Sequence, residues 1–309
     1  MDAYTKKTKA WLDDRFKKCS ETGIYYAHQP IYGFREDHSE PQYACRYIKT
    51  YRIMKELSRL EFDSLLDVGG AEGYKAYIAK ELFGIRVENS DLSEEACKRV
   101  EEIFHLKSTA ADIHNLPFSD NQFDVILCSE TLEHVAYLDK ALNEILRVAK
   151  KALVITVPCE DKQITDKVLR EEVPHGHIHS FDLKSLDFLK SQGYGVFPKK
   201  MNSPLLSCVA DLIEGTGARE YHKGSKKTKI LFGIYNICIS LFGVSFCGAF
   251  RTKAITLLVA LDDFVCRFTS SHGGICFLIL KDSNCYGKKK QKISVRRIMD
   301  LKVPYHYLK

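Results

Sequence analysis

The sequence predicts an α/β protein built on a doubly wound, largely parallel sheet. Three observations carry that expectation. Short apolar runs alternate with helical patterns from Asp63 onward, a glycine-rich turn breaks the first of those runs, and one further apolar run, "GICFLILKD", arrives late at Gly274–Asp282. Alternation of this kind implies crossover units, with helices covering both faces of the sheet.

Taken in order, "SLLDVG" reads as the first strand and "YKAYIAKELF" as the helix that returns from it. "IRVENSD" is the second strand, and "SEEACKRVEEIF" is the second crossover helix, opened by the cap sequence "DLSEE". "FDVILCSE" is a buried strand, "LDKALNEILRVAK" an amphipathic helix and "ALVITVP" the next strand. "LKSLDFLKSQGY" predicts a further helix before the chain reaches the late strand. Residues 1–60 read as a helical and irregular cap, whose aromatic stretch "IYYAHQPIYGF" is placed to cover a ligand mouth. The expected divisions are that cap, a core over 61–200, an apolar helical insertion over 201–272, the late strand over 273–283 and a basic tail over 284–309.

The turn "LLDVGGAEGY" decides what the core receives. Glycines at Gly69, Gly70 and Gly73 free the backbone of Cβ clashes, so the following helix can present its amino end to a ligand. A dinucleotide fingerprint wants glycine where Ala71 and Tyr74 stand, because pyrophosphate needs close backbone approach. The strand ends instead in Asp67, a carboxylate awkward beside pyrophosphate and suited to ammonium and hydroxyl groups. Asp91 closes the second strand, at roughly the ~20-residue interval where an acid grips ribose hydroxyls. Each acid taken alone is also explained as a helix cap; their order along the chain favours a ligand site.

With "VENSDLSEEA", "ADIHNLPFSDNQFDVILCSETLEHV" and "ALNEILRVAKKALVITVP" added to that turn, the chain resembles the class I S-adenosylmethionine-dependent methyltransferases of the small-molecule, type 11-like kind. The likeness is strong over Leu65–Pro158 and weak to Gly195; lysines replace the family's usual proline-glycine pair before the fifth strand. It implies a Rossmann-like seven-stranded sheet with an antiparallel late strand, and S-adenosyl-L-methionine as cofactor. It further implies a cofactor site made of Asp67, Gly69, Gly70, Gly73, Asp91, Leu92, Asp112, Ile113 and Ser129, with Asp112 at the adenine.

Methyl transfer is an in-line displacement, and alignment in a dry site supplies much of its rate. A base is needed only where the acceptor loses a proton. His134 in "SETLEHV" stands where the family opens toward the transferred methyl, and it is the candidate base for an oxygen acceptor, against a packing role. Glu130 in the same loop, with His177 and His179 of "PHGHIHSFD", are candidates for lining the acceptor pocket. His175, His177 and His179 alternate and would share one face of an extended segment, but no cysteine or acid at metal spacing completes a set, so no metal is expected.

Composition narrows the partners. The 11 cysteines are scattered without a C-x-x-C pair, which points to reduced thiols rather than a disulfide framework. The net charge of +6 conceals an asymmetry, since the part after Lys200 carries roughly ten surplus positive charges. "KGSKKTK" and "GKKKQKISVRR" supply much of it, either as solvated loops or as contacts to an anionic surface. Nucleic acid is not the expected partner, because "SETL" stands where base methyltransferases carry an Asn/Asp-Pro-Pro-aromatic tetrapeptide.

Ile230–Phe250 is an uncharged apolar run long enough for a bilayer, and "AITLLVALDDFVCRF" follows it. If the late strand rejoins the sheet, the two runs must form a hairpin. A buried or lid-like insertion, a monotopic membrane contact and a true span all remain open, in that order of preference. The amino end lacks a secretory pattern, so the expected location is cytoplasmic, with peripheral membrane attachment as an open alternative and a single span as the less favoured one. The expected reaction is methyl transfer to a small or lipid-linked acceptor, at oxygen. The rival from another class is a non-catalytic, membrane-attached binding module of the same fold.

Overall fold

The computed structural model describes residues 1–22, 43–203 and 257–287, with 293–294, 297–298 and 301 near the carboxyl end. The strands are β1 (Ser64–Val68), β2 (Arg86–Asp91), β3 (Ser108–Ala110), β4 (Phe123–Ser129), β5 (Ala149–Pro158), β6 (Gly195–Met201) and β7 (Gly274–Leu280). The helices are α1 (Ala3–Thr22), α2 (Tyr43–Leu57), α3 (Tyr74–Phe83), α4 (Glu94–Phe104), α5 (Leu138–Val148), α6 (Lys162–Arg170) and α7 (Phe188–Ser191), and residues 257–268 are helical as well. The strands form one sheet in the order β3-β2-β1-β4-β5-β7-β6.

Alternate residues of the central strands feed two apolar cores. Leu65, Val125, Leu127 and Val154 face α2, α3 and α4, whereas Leu66, Ile126, Leu153 and Ile155 face α5. Burial on both faces is why β4 and β7 read as unbroken apolar runs rather than as alternating patterns. β1 pairs in parallel with β2 on one side and β4 on the other, so the strand order reverses between β1 and β4. Ligands of open α/β sheets bind at such a reversal, outside the carboxyl ends of the strands. β7 runs antiparallel to both β5 and β6, as the family resemblance implies.

One element differs from the sequence reading. The helix expected over Leu183–Tyr194 is reduced to the four residues of α7. Asp182 accepts from the Lys184 amide (2.8 Å) and the Ser185 hydroxyl (2.9 Å), which holds the preceding stretch in turns. Leu186 and Leu189 are nevertheless buried, so the apolar spacing served packing and not a long helix.

The insertion reading falls mostly on residues 204–256, including Ile230–Phe250, which lie outside the described residues, as does the aromatic stretch 24–34. Among the described residues no helix is long and apolar enough to cross a membrane. The end of the insertion is tied to the core by charge. Asp262 on the 257–268 helix is fully buried and accepts from the guanidinium of Arg52 on α2, and Asp263 adds a second contact to Arg52 at 3.0 Å. The Ser203 amide, where the chain leaves β6, also donates to Asp262 (2.9 Å).

Breaking a buried pair by removing one partner leaves an uncompensated charge, at a cost of about 3–5 kcal/mol. Arg52→Met is therefore expected to lower unfolding free energy in urea by about that amount, and Arg52→Met with Asp262→Leu to recover most of it.

Candidate active site

The first strand ends in a turn that only small residues can build. Gly69 has φ +69°, and a β-carbon there would collide with the side chain of Thr131. A β-carbon on Gly70 would strike Asn89 Oδ1 and crowd the Asp67 carboxylate. The Gly69 amide donates to the Ser90 carbonyl (2.8 Å), binding the turn to the end of β2. Gly73, also at positive φ, caps α3, whose first amides point back toward the turn. A buried ion pair between Glu72 and Arg99 (2.8 Å) fastens the turn to α4.

Two carboxylates flank this turn in different states. Asp91 accepts from the Ala71 amide (2.8 Å) and the Ser93 amide (2.9 Å), so it joins the turn to the start of α4. Asp67 is 1% exposed, and neither of its oxygens has a hydrogen-bond partner. Burial pushes its acid up to about 6, opposed by Lys75 and the Ala76 amide of α3 and reinforced by Asp91. A buried carboxylate with no donor at hydrogen-bond distance, beside a glycine turn, has the chemistry to suit a cationic, hydrogen-bonding ligand.

The other residues expected at the cofactor stand at or just beyond the carboxyl ends of β2, β3 and β4. Leu92 packs against Leu12 and Phe16 of α1, and Ile113 packs against the core around α5. Asp112 accepts from the His114 amide (3.0 Å), and its Oδ1 lies 2.5 Å from His114 Nδ1. Burial raises the Asp112 acid, but His114 outweighs it and holds the carboxyl below its ordinary range. Ser129 is buried, with its hydroxyl 2.7 Å from that of Thr156.

At the carboxyl end of β4 the chain turns sharply. Glu130 sits at φ +57°, a left-handed conformation unusual for glutamate and of the kind found at functional sites. Its carboxylate is held by Lys49 of α2 (2.6 Å) and by the Thr156 hydroxyl (3.0 Å). Glu133 is buried, and burial together with Glu130 pushes its acid well above the ordinary carboxylate range. His134 Nδ1 donates to the Gly176 carbonyl (3.0 Å), and its ring stacks on His175 at 3.8 Å. Burial, then the neighbouring His175 and His177, hold His134 well below its usual range, so it is neutral near pH 7.

The fold brings together His134 and His177, with ring centroids 4.7 Å apart, and leaves His179 aside, its Nε2 on the Val135 carbonyl at 2.7 Å. Glu133, which no local spacing paired with the histidines, completes a group with His134 and His177. Sequence reasoning also missed Lys49 and His114, which reach the site from distant or inconspicuous positions. For His114 a signal existed: it lies two residues after Asp112, the spacing of a side chain that turns back on its neighbour.

The raised Asp67 acid carries a stability consequence. A carboxyl whose acid is raised in the folded state costs nothing below its unfolded value of 3.8, and its cost grows to completion as pH climbs past about 6. Relative to Asp67→Asn, the wild type is expected to lose roughly 3 kcal/mol between about pH 4 and pH 6, from about 1.4 kcal/mol per pKa unit. Urea titrations of both proteins without ligand across that range check the slope and its sign.

Comparison with known proteins agrees with this geometry. Residues 66–155 match the family model described as a methyltransferase domain. An uncharacterized protein of Methanocaldococcus jannaschii is 35% identical over 152 residues, 44% of this chain and 64% of that protein. Norajmaline N-methyltransferase of Rauvolfia serpentina is 31% identical over 102 residues, 30% of this chain and 35% of the enzyme. The matches thus span less than two thirds of these relatives. Among solved structures, geranyl diphosphate C-methyltransferase from Streptomyces coelicolor A3(2), in complex with Mg2+, geranyl diphosphate and S-adenosyl-L-homocysteine, aligns with a TM-score of 0.52 at 14% identity, covering 91% of this chain and 98% of that one. Residues 66–155 therefore match a methyltransferase domain, and the sheet has the fold of a solved methyltransferase.

Proposed function

We propose that this protein transfers a methyl group from S-adenosylmethionine to a small or lipid-linked acceptor, at oxygen, by in-line displacement. The single observation that carries the reading is Asp67, a buried carboxylate with no hydrogen-bond partner, set beside a glycine turn at the reversal of strand order. Bound there, the cofactor supplies a methyl group activated by a sulfonium centre. Asp67 and the turn amides are suited to its ammonium and carboxylate end, Asp91 to ribose hydroxyls, and Asp112 with Ile113 to the base.

The chain's remaining task is to exclude water and receive the acceptor's proton. α1 roofs the segment carrying the histidines: the Tyr4 hydroxyl donates to the Gly176 carbonyl (3.3 Å), and Trp11 stacks on His175. With Nδ1 engaged by Gly176, a neutral His134 keeps a lone pair on Nε2 for a hydroxyl proton. A lipid-linked acceptor rests on the apolar insertion, which is read from sequence alone. Cofactor binding without turnover on any acceptor would favour the rival, a non-catalytic binding module.

Calorimetry is expected to show binding of S-adenosylmethionine and none of nicotinamide dinucleotides. Gly69→Val should abolish that binding, and Asp91→Ala should weaken it by about 1.5–3 kcal/mol, the range for a hydrogen bond to a charged group. Unchanged affinity in both variants would overturn the assignment.

Methyl-labelled cofactor incubated with a lipid and metabolite extract identifies the acceptor class. With an acceptor in hand, His134→Ala is expected to lower turnover roughly tenfold or more, while cofactor affinity stays nearly intact. A wild-type rate would return His134 to a packing role.

A further inference from the structure

We propose that Glu133, His134 and His177 form a binding site for one divalent first-row transition-metal ion. One ligand atom from each lies within 4.8 Å of those of the other two. Imidazole nitrogen and carboxylate oxygen bind such an ion at about 2.0–2.2 Å, so side-chain adjustments of up to about 0.7 Å close the set.

Three separate features point to a ligand there. The Glu133 side chain is 1% exposed, its Oε1 lies 3.8 Å from His134 Nε2, and its Oε2 has no hydrogen-bond partner. A buried carboxylate in that condition is costly unless a cation meets it. Both imidazoles also have Nδ1 already engaged, His134 by the Gly176 carbonyl (3.0 Å) and His177 by Glu160 (2.8 Å). A backbone carbonyl and a carboxylate are the partners that orient metal-ligating histidines, and donation from Nδ1 leaves the lone pair on Nε2. Finally, the two segments are fastened independently of these side chains, since the Ile178 amide donates to the Glu133 carbonyl at 2.8 Å.

The donor set selects the ion. Two imidazoles with one carboxylate suit zinc, iron, cobalt or manganese, and disfavour magnesium and calcium, which prefer oxygen. Three protein ligands leave room for an oxygen ligand from outside. Thr131, two residues before Glu133, abuts Gly69, so the ion lies beside the proposed cofactor site. Its meaning for catalysis, though not its existence, rests on the methyl-transfer reading: a hydroxyl bound to the ion becomes more acidic. His134 is then a ligand and the ion takes over the work of a base.

The test uses the full chain, stripped with chelator and titrated with cobalt(II) in the absence of S-adenosylmethionine, followed by visible absorption and calorimetry. The wild type is expected to bind one equivalent at this site that excess magnesium does not displace. Glu133→Gln and His177→Ala should each lower that affinity at least 100-fold, Glu160→Gln by about 10–100-fold, and the surface variant His105→Asn not at all. X-ray absorption of the wild-type cobalt complex, which needs no variant, should show two imidazoles in the coordination sphere. Absence of a bound equivalent, equal binding in the Glu133 and His177 variants, or a spectrum without imidazole would each overturn the site. Cobalt binding without S-adenosylmethionine binding would instead overturn the methyl-transfer reading and leave the metal site standing.

Discussion

Asp91 is the tie on which the mouth of the sheet depends. One carboxylate oxygen takes the Ala71 amide from the turn after β1, and the other takes the Ser93 amide at the start of α4. Two crossover connections are thereby fixed to the end of one strand. With the turn so held, Gly70 is pressed against Asn89 and Asp67, and Asp67 is sealed from water. The fold satisfies the first acid with backbone donors and leaves the second with none at hydrogen-bond distance. Low dielectric makes that asymmetry costly in the free protein and favourable once a cation with hydrogen-bond donors arrives.

The same topology sets a second zone next to the first. β1 and β4 are neighbours at the reversal of strand order, so the segment after Ser129 lies beside the segment after Val68, and Thr131 abuts Gly69. Glu130 pays in backbone strain for the sharp exit from β4, and Lys49 holds its carboxylate in place. That exit brings Glu133 and His134 against residues 174–179, while α1 covers them from above. Strand order thereby sets the proposed acceptor zone beside the proposed cofactor turn.

Much of this was legible in the sequence because it is local. The β1 turn announces itself by three glycines and Asp67, Asp91 by its place at a strand end, and the two-faced core by apolar runs too continuous for a half-exposed sheet. What escaped was contact across distance. Glu133 and His177 are far apart in sequence and meet through a loop whose course no periodicity reports. Lys49 and Arg52 look like ordinary charges on an amphipathic helix until the exit from β4 and the 257–268 helix supply their partners. The apolar spacing at Leu186 and Leu189 was read as a long helix, whereas Asp182 diverts the backbone into turns and leaves only the packing contacts.

The central claim is that Asp67 waits, buried and unpartnered, for the cationic end of a cofactor. Carbon-13 NMR of the Asp67 carboxyl, titrated with and without S-adenosylmethionine, tests it most directly. The account predicts a midpoint near 6 in the free protein, displaced well downward when the cofactor is bound, with proton release on binding around that pH. A midpoint that stays where it was in the presence of saturating cofactor would contradict it.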